Sequence, residues 1–551
     1  MYNNKLKAIV LPVVIALAIV LGMGINSLLD HKEVPVNMGQ RMIGSKLDYI
    51  LNMINYSYVD SVDIHKIEED AIPQILNDLD PHTVYIPAKD MQRVNEEMVG
   101  NFGGVGVQFY KYLDTVTVVK VVPGGPSEAA GLQDGDRIVK VNDSIVAGRN
   151  MNTDKIMSLM RGEIGTDVQL TIVRRGEKQP LIKNITRGSI PIKSVDVAYM
   201  FDDTTGFIKV KTFGMNTYDE FMASLAKLEG LGMKRLIVDL RENEGGILPI
   251  AIRMINEFLP EGKLILYTQG KASPRMDYNS NGKGKYQQLP LTVLIDEASA
   301  SASEIFAGAI QDKDRGSTSE GYSQGRNRGN IVGRRSFGKG LVQEQRLLPD
   351  NSALRLTVAR YYVPSGRSIQ KPYDEGKEKY YTDIYQRLLH GEFSQKDSIH
   401  FDEKLKYQTV GGRTVYGGGG IMPDLFVPGD TVGFSRYLVE VNRKNQYLYD
   451  FTFDFMDRHR QETKNIKDYK QLLKYLDRFD LVNEMADYAA AKGLKRDEKG
   501  IRDSYDVLNS LIKAFIGRHV LDDDGFYPIL YQNDVTIKKA IEAQGTGVQA
   551  D

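Results

Sequence analysis

The stretch Leu291–Asp312 reads LTVLIDEASASASEIFAGAIQD. Its first residues are Leu, Val and Ile around one Thr, the length and composition of a buried strand. Three serines alternating with alanines follow, and SEIFAGAI then has helical character. A strand that passes directly into a helix is half of an α/β unit. The pattern repeats outward: GFIKVKTF, RLIVDL and LILYT read as strands, and YDEFMASLAKLEGLG reads as an amphipathic helix. Residues 190–430 are therefore expected to form an α/β core.

The flanks have other textures. KLDYILNMI and IHKIEEDAIPQIL predict an N-terminal helical region over 40–98, with the loop LDPHTVYIP at Leu79–Pro87. Residues 99–187 combine GNFGGVGVQFY, the strand-like TVTVVKVV, the turn-rich PGGPSEAAGLQDGDRIVKVND, the helical TDKIMSLMRG and the strand DVQLTIVRR. After Pro428 strand signals fade, and 434–551 is expected to be mainly helical and to pack on the core or on another subunit. At the other end, Lys5 and Lys7 precede an apolar run from Ala8 to Ile25. Residues 1–29 are expected to be a retained signal anchor with the body exported, because the cationic flank stays inside and no A-x-A site follows. A cleaved signal peptide is the alternative.

Bulk composition narrows the chemistry. The 551 residues carry 71 Lys and Arg against 72 Asp and Glu, so no global field favours nucleic acid. There is no cysteine, which excludes disulfides, thiol catalysis and thiolate zinc sites. The seven histidines are scattered without an H-E-x-x-H, and neither metal nor cofactor is expected.

Among the serines, Ser301 lies where the strand has ended and the helix begins. A nucleophile there would meet unpaired backbone N–H groups and the positive end of a helix dipole. Ser303 and Glu304 read as the cap and first turn, and Ser299 as loop. Taken alone, the three serines are better read as mere helix caps. With no histidine nearby, the base would be a lysine whose pKa is lowered by burial or neighbours. VGRRSFGKGLVQEQRLL at Val332–Leu348 has strand character and offers Lys339 and Gln343, four apart and so expected on one face.

Two resemblances bear on these residues. Residues 99–187 resemble a PDZ domain, which implies a carboxylate-binding loop at Gly104, Val105, Gly106 and Val107 and a peptide-accepting strand from Gln108. SASASEI followed by SFGKGLVQ is similar to the carboxyl-terminal processing (tail-specific) serine peptidases. So are LDPHTVYI at Leu79–Ile86, DLRENEGG at Asp239–Gly246, ALRLTVARYYVPSGRSIQKPY at Ala353–Tyr373 and TVGGRTVYGGGGIMPD at Thr409–Asp424. The resemblance covers about residues 40–430. It implies a crotonase- or Clp-like core, Ser301 as nucleophile, Lys339 as general base and Gln343 in support. Ala302 with Gly245 or Gly246 would supply the oxyanion N–H groups. It further implies protein or peptide substrates with apolar C-terminal tails, and with the anchor it suggests a bacterial envelope protein, held in the inner membrane and facing the periplasm. The competing reading is a catalytically inactive, anchored PDZ scaffold. The C-terminal region offers an oligomer or adaptor surface.

One departure and four decoys remain. About 13 residues, roughly Ser317–Gly329, interrupt the family pattern between DKDRG and NIVGRRSFGKG and read as a surface loop. Within them GYSQG at Gly321–Gly325 is a formal G-x-S-x-G without the strand and helix an elbow needs. Ser224 and Lys227 form an S-x-x-K inside a helical pattern, without a K-T-G partner. The arginine pairs at 174–175 and 334–335 read as solvated strand positions, and His82 as a turn or packing residue.

Overall fold

A computed structural model describes residues 45–546, apart from 113, 314–328, 431 and 443–445. The expected anchor, nearly all of the 317–329 insertion and the Gly321–Gly325 motif lie outside the described residues. Among the described residues no helix is long and apolar enough to cross a membrane. The chain divides into two compact units, Met1–Ile72 and Pro73–Asp551. In the first, helix Lys46–Ser57 opens on a capping box between Ser45 and Asp48 and leaves Leu47, Ile50 and Met53 exposed.

In the second unit, LTVLI forms strand Leu291–Ile295 inside a six-stranded sheet. The order across it is Val195–Met200, Thr205–Val210, Arg235–Asp239, Leu291–Ile295, Gly329–Gly333 and Leu425–Phe426. The first pair is antiparallel and the rest are parallel. A parallel sheet needs cover on both faces. Ile208, Val238, Val293 and Ile331 pack with residues of helices Thr217–Gly230, Leu248–Asn256 and Ala302–Asp312. Phe207, Ile237, Leu294 and Val332 belong to the opposite face, closed by Ile537 and Ala540 of helix Val535–Thr546. All eight strand residues are fully buried, each worth roughly 1.5–3 kcal/mol. The C-terminal region is thus one wall of the core.

A second sheet joins Val84–Ile86, Ala353–Tyr362, Leu264–Gln269 and Met276–Asn279, with Leu341–Leu347 also paired to Ala353–Tyr362. It brings the LDPH loop beside the segment that follows Lys339.

The inserted module is a sheet of Val107–Tyr112, Thr115–Val121, Arg137–Val141, Asp167–Val173 and Leu181–Thr186, with Ser144–Ile145 paired to the third of these. Val116, Ile138, Leu170 and Ile172 form its core with Ile156 and Met160 of helix Thr153–Met160. The chain enters and leaves through a four-residue ribbon, Asn101–Gly104 against Gly188–Pro191. The loop is shorter than expected: Gly104 belongs to this ribbon and Val107 already starts the strand, leaving Val105 and Gly106. After Pro428, helices from Arg436–Asn442 to Asp523–Leu530 build a core of their own around Phe451, Phe455, Leu472, Val482, Met485 and Ile512.

Candidate active site

Ser301 is the residue on which the strand-to-helix passage turns. Its φ is +54° and its ψ −114°, a conformation rare for any residue with a Cβ and costing on the order of 1–3 kcal/mol. The surrounding loops hold it there. The Ala300 N–H and the Ser303 hydroxyl both donate to the Asn243 carbonyl (3.0 and 2.8 Å), and the Ser299 hydroxyl donates to the Leu240 carbonyl (2.8 Å). Ser301, not Ser303, is the N-cap of helix Ala302–Asp312; Ser303 lies inside the first turn with its hydroxyl turned to the neighbouring loop.

That loop is the DLRENEGG segment. Gly245 and Gly246 have φ of +103° and +145°. A Cβ on Gly245 would lie 2.8 Å from both the Ala302 nitrogen and Ser301 Cβ, and one on Gly246 would lie 2.4 Å from the Phe213 carbonyl oxygen. Only glycine permits this approach. The two glycine amides differ: Gly245 N–H donates to Asn243 Oδ1 (2.9 Å), whereas Gly246 N–H has no acceptor among the described residues. The same holds for Ala302 N–H at the helix start.

Glu304, fully buried, joins the two halves of the site. Its Oε2 accepts from the backbone N–H groups of Ser301 (2.9 Å) and Lys339 (2.8 Å), and its Oε1 from Ser336 Oγ (2.5 Å) and Gly338 N–H (2.8 Å). Burial raises its pKa to about 7 against these four donors. The Tyr361 phenol, also buried, bridges the carbonyls of Ser301 and Lys339. Backbone clamps therefore fix both segments together.

Lys339 and Gln343 line one cavity of about 670 Å³ with Ser301, Ala302, Gly245 and Gly246. Apolar side chains of Phe213, Ile247, Leu248, Ile305 and Val342 form much of its wall. Lys339 Nζ has no carboxylate within ion-pair distance among the described residues. Burial, then the Arg355 guanidinium on the same cavity, lowers its pKa from the usual lysine value against the opposing pull of Glu304, Glu244 and Asp80. Gln343 Nε2 donates to the His82 carbonyl (2.5 Å). The LDPH loop that presents this carbonyl is shaped by Asp80, which accepts from His82 N–H (2.8 Å), Thr83 N–H (3.0 Å), Thr83 Oγ1 (2.5 Å) and Thr357 Oγ1 (3.0 Å). The His82 ring meets the Tyr380 hydroxyl at 2.9 Å, and burial, reinforced by Lys339, lowers its pKa to about 4.

Several expectations need correction. Lys339 is not on a strand: glycines on both sides keep it in a loop, and the strand begins at Leu341. A bulge between Val342 and Gln343 also breaks the simple alternation, so it is the loop geometry that puts both side chains in one cavity. Three of the four paired arginines are held rather than solvated: Arg174 grips Asp136, Arg334 grips Glu297, and Arg335 shares Glu392 with Arg387. Ser224 donates to the Glu220 carbonyl within its own helix and Lys227 to the Ala198 carbonyl, as a helix-face reading requires. Sequence reasoning missed Glu304 as a clamp, Tyr361, Arg355 and the His82 carbonyl. Among the described residues no group of three or more acidic or histidine side chains is placed to hold a metal ion.

Comparison with known proteins gives this geometry relatives. Residues 204–376 match the model of peptidase family S41, 103–182 that of a PDZ domain, and 437–522 a family of unknown function (DUF8443). A probable CtpA-like serine protease of Staphylococcus epidermidis is 30% identical over 344 residues, which is 62% of this chain and 66%, just under two thirds, of that protein. A carboxy-terminal-processing protease of Bartonella bacilliformis is 34% identical over 325 residues, 58% of this chain and 71% of that one. Among solved structures, a photosystem II D1 C-terminal processing protease matches with 26% identity over 58% of this chain and 89% of its own, at a TM-score of 0.33. By its PDZ module, its S41 segment and its likeness to the Bartonella protein, the chain belongs to the carboxy-terminal-processing proteases of peptidase family S41.

Proposed function

We propose that this chain is a serine endopeptidase that takes hold of substrate C-terminal tails and hydrolyses peptide bonds with a Ser301–Lys339 dyad. One observation carries the reading: a strained Ser301 shares a cavity with a lysine of lowered pKa and with two unclaimed amides. In this mechanism Lys339, unprotonated, takes the Ser301 hydroxyl proton as Oγ bonds to the scissile carbonyl carbon. The oxyanion is held by Ala302 N–H and by Gly246 N–H, since Asn243 already occupies Gly245. The carbon–nitrogen bond breaks as Lys339 returns the proton to the leaving amine. Water then attacks the acyl-serine carbonyl carbon, giving a proton to Lys339, which passes it to Ser301 Oγ as the ester bond breaks. Gln343, held by the His82 carbonyl, orients the lysine or the water.

Tail recognition falls to the inserted module. Val107–Tyr112 is an edge strand, paired on one side only, so an extended peptide can add to it. Val105 and Gly106 have N–H groups without acceptors among the described residues, suited to a terminal carboxylate. By the family resemblance, the substrates are proteins with apolar C-terminal tails. Anchoring through residues 1–29 and a site on the periplasmic side of a bacterial inner membrane complete the proposal, on the sequence alone.

The test follows degradation of a loosely folded protein bearing an apolar C-terminal tail, using wild type, Ser301→Ala and Lys339→Ala. Cleavage by wild type alone is expected. Equal cleavage by all three would overturn the dyad. Tail binding without any cleavage would favour the inactive scaffold.

A further inference from the structure

The inserted module hangs from the core by one two-stranded ribbon of four residues a side, and a ribbon that short gives little stiffness. Domains so attached move unless a substantial interface holds them. The interface here comes from the C-terminal helices. Along Val107–Tyr112, Val107 and Phe109 turn into the module, while Tyr110 and Tyr112 turn out onto helix Gln446–Thr463. Tyr110 packs on Tyr449 with ring centroids 4.9 Å apart and donates to Asp450 (3.0 Å). Tyr112 packs on Phe453 at 5.2 Å. On the neighbouring strand Lys120 pairs with Asp522, and Arg460 donates to the Asp134 carbonyl (2.7 Å).

The same helical region is fastened to the core at its far end. Tyr527 donates to Asp196 (2.7 Å), and Asp534 pairs with Arg241 (2.7 Å), which lies on the loop that leads to Gly245 and Gly246. Helix Val535–Thr546 covers the sheet beneath the strands that lead to Ser301 and to the Lys339 loop. The region therefore grips the outer face of the peptide-accepting strand and the frame of the catalytic loops at once. The strand's free edge is left open.

We propose that residues 436–546 act as a brace: they dock the outer face of the PDZ strand so that a captured tail is held at a fixed span from Ser301, and the docked arrangement is the working one. The inference rests on the tail-capture reading above. It gives the segment that matches a family of unknown function a role in positioning substrates.

The test uses the full-length protein with two substrates, a tailed, loosely folded protein and a short tail-less peptide, plus fluorescence anisotropy of a tail peptide. In Tyr449→Ala/Phe453→Ala, tail-peptide Kd and tail-less cleavage are expected within twofold of wild type, while kcat/KM for the tailed protein falls at least tenfold. Because the chain has no cysteine, Lys120→Cys/Asp522→Cys can be joined with a short bis-maleimide, and the joined protein is expected to keep wild-type cleavage of the tailed substrate. Undiminished tailed cleavage by the aromatic variant, its loss of tail-less cleavage as well, or loss of tailed cleavage on joining would each overturn the brace. Failure of the tail-capture reading would look different, because wild type itself would then bind no tail peptide and show no preference for the tailed protein; the brace would fall with it.

Discussion

Glu304→Gln tests whether the clamp organises the site. The carboxylate offers two acceptor oxygens, each receiving two donors: Ser301 and Lys339 N–H on one, Ser336 Oγ and Gly338 N–H on the other. A glutamine of nearly the same shape keeps one oxygen and turns an NH₂ toward the other pair. At least two bonds to a charged acceptor are lost, at about 1.5–3 kcal/mol each, so the arrangement weakens by roughly 3–6 kcal/mol. If about 3 kcal/mol of that is needed to restore the geometry in the transition state, kcat falls by roughly 150-fold. Cleavage of a short tail-less peptide isolates this step from tail capture. KM for that peptide is expected to change little, because the cavity walls from Phe213, Ile247 and Leu248 are untouched. A kcat within threefold of wild type would refute the clamp, and the same kcat loss accompanied by global unfolding in near-UV circular dichroism would assign Glu304 to stability instead.

Gly246→Ala is expected to lower kcat by 10²-fold or more, since its Cβ would lie 2.4 Å from the Phe213 carbonyl and push the proposed oxyanion amide aside; activity near wild type would remove Gly246 from the mechanism. Arg355→Gln removes a cation that helps lower the Lys339 pKa, so the acid limb of the kcat/KM profile should move to higher pH, and Arg355→Lys should restore it; an unmoved limb in the glutamine variant would exclude that role. His82 titrates near 6.5 when unfolded and near 4 when folded, so the unfolded chain takes up the proton first as pH falls. Its contribution to stability is therefore intact above pH 6.5 and lost toward pH 4. The thermal midpoint of wild type should fall more steeply across that window than that of His82→Asn, which keeps the backbone carbonyl; parallel curves would contradict the assignment.

What could be seen in the sequence follows from how far apart the cooperating groups lie. The passage Leu291–Asp312 is legible because a strand and a helix are local patterns, and the same is true of the alternating elements from Thr205 to Asp312. Glu304 is half legible: an acid three residues after a helix N-cap reads as a cap, yet three of its four donors come from Ser336–Lys339, more than thirty residues on, and no local pattern encodes them. The His82 carbonyl carries no side-chain signal at all. Strand-like residues surround Lys339 and hide its loop, of which the glycines at 338 and 340 are the available sign. Arg335 looked solvated because its partner Glu392 lies 57 residues away. The second cover of the sheet did have a signal: LTVLI and RLIVD are apolar at successive positions, which only a sheet buried on both faces requires.

The clamp also accounts for a feature of the proposed dyad. In a serine–histidine–aspartate site the carboxylate bonds the base itself, orienting it and favouring its charged form. A lysine base needs the opposite, because a carboxylate on its ammonium would raise the pKa and keep it protonated. Here Glu304 holds the backbone of Lys339 instead of its amine, so the lysine is positioned without being paired. The residual attraction of Glu304, Glu244 and Asp80 is outweighed by burial and Arg355, and the net shift is downward. Position and protonation state are thus set by different groups, Glu304 and Tyr361 for the first, the cavity wall and Arg355 for the second. On this division, Glu304→Gln should mainly lower the plateau of the pH–rate profile, with its limb moving slightly to lower pH as one attraction on the ammonium is lost, and Arg355→Gln should move the limb to higher pH.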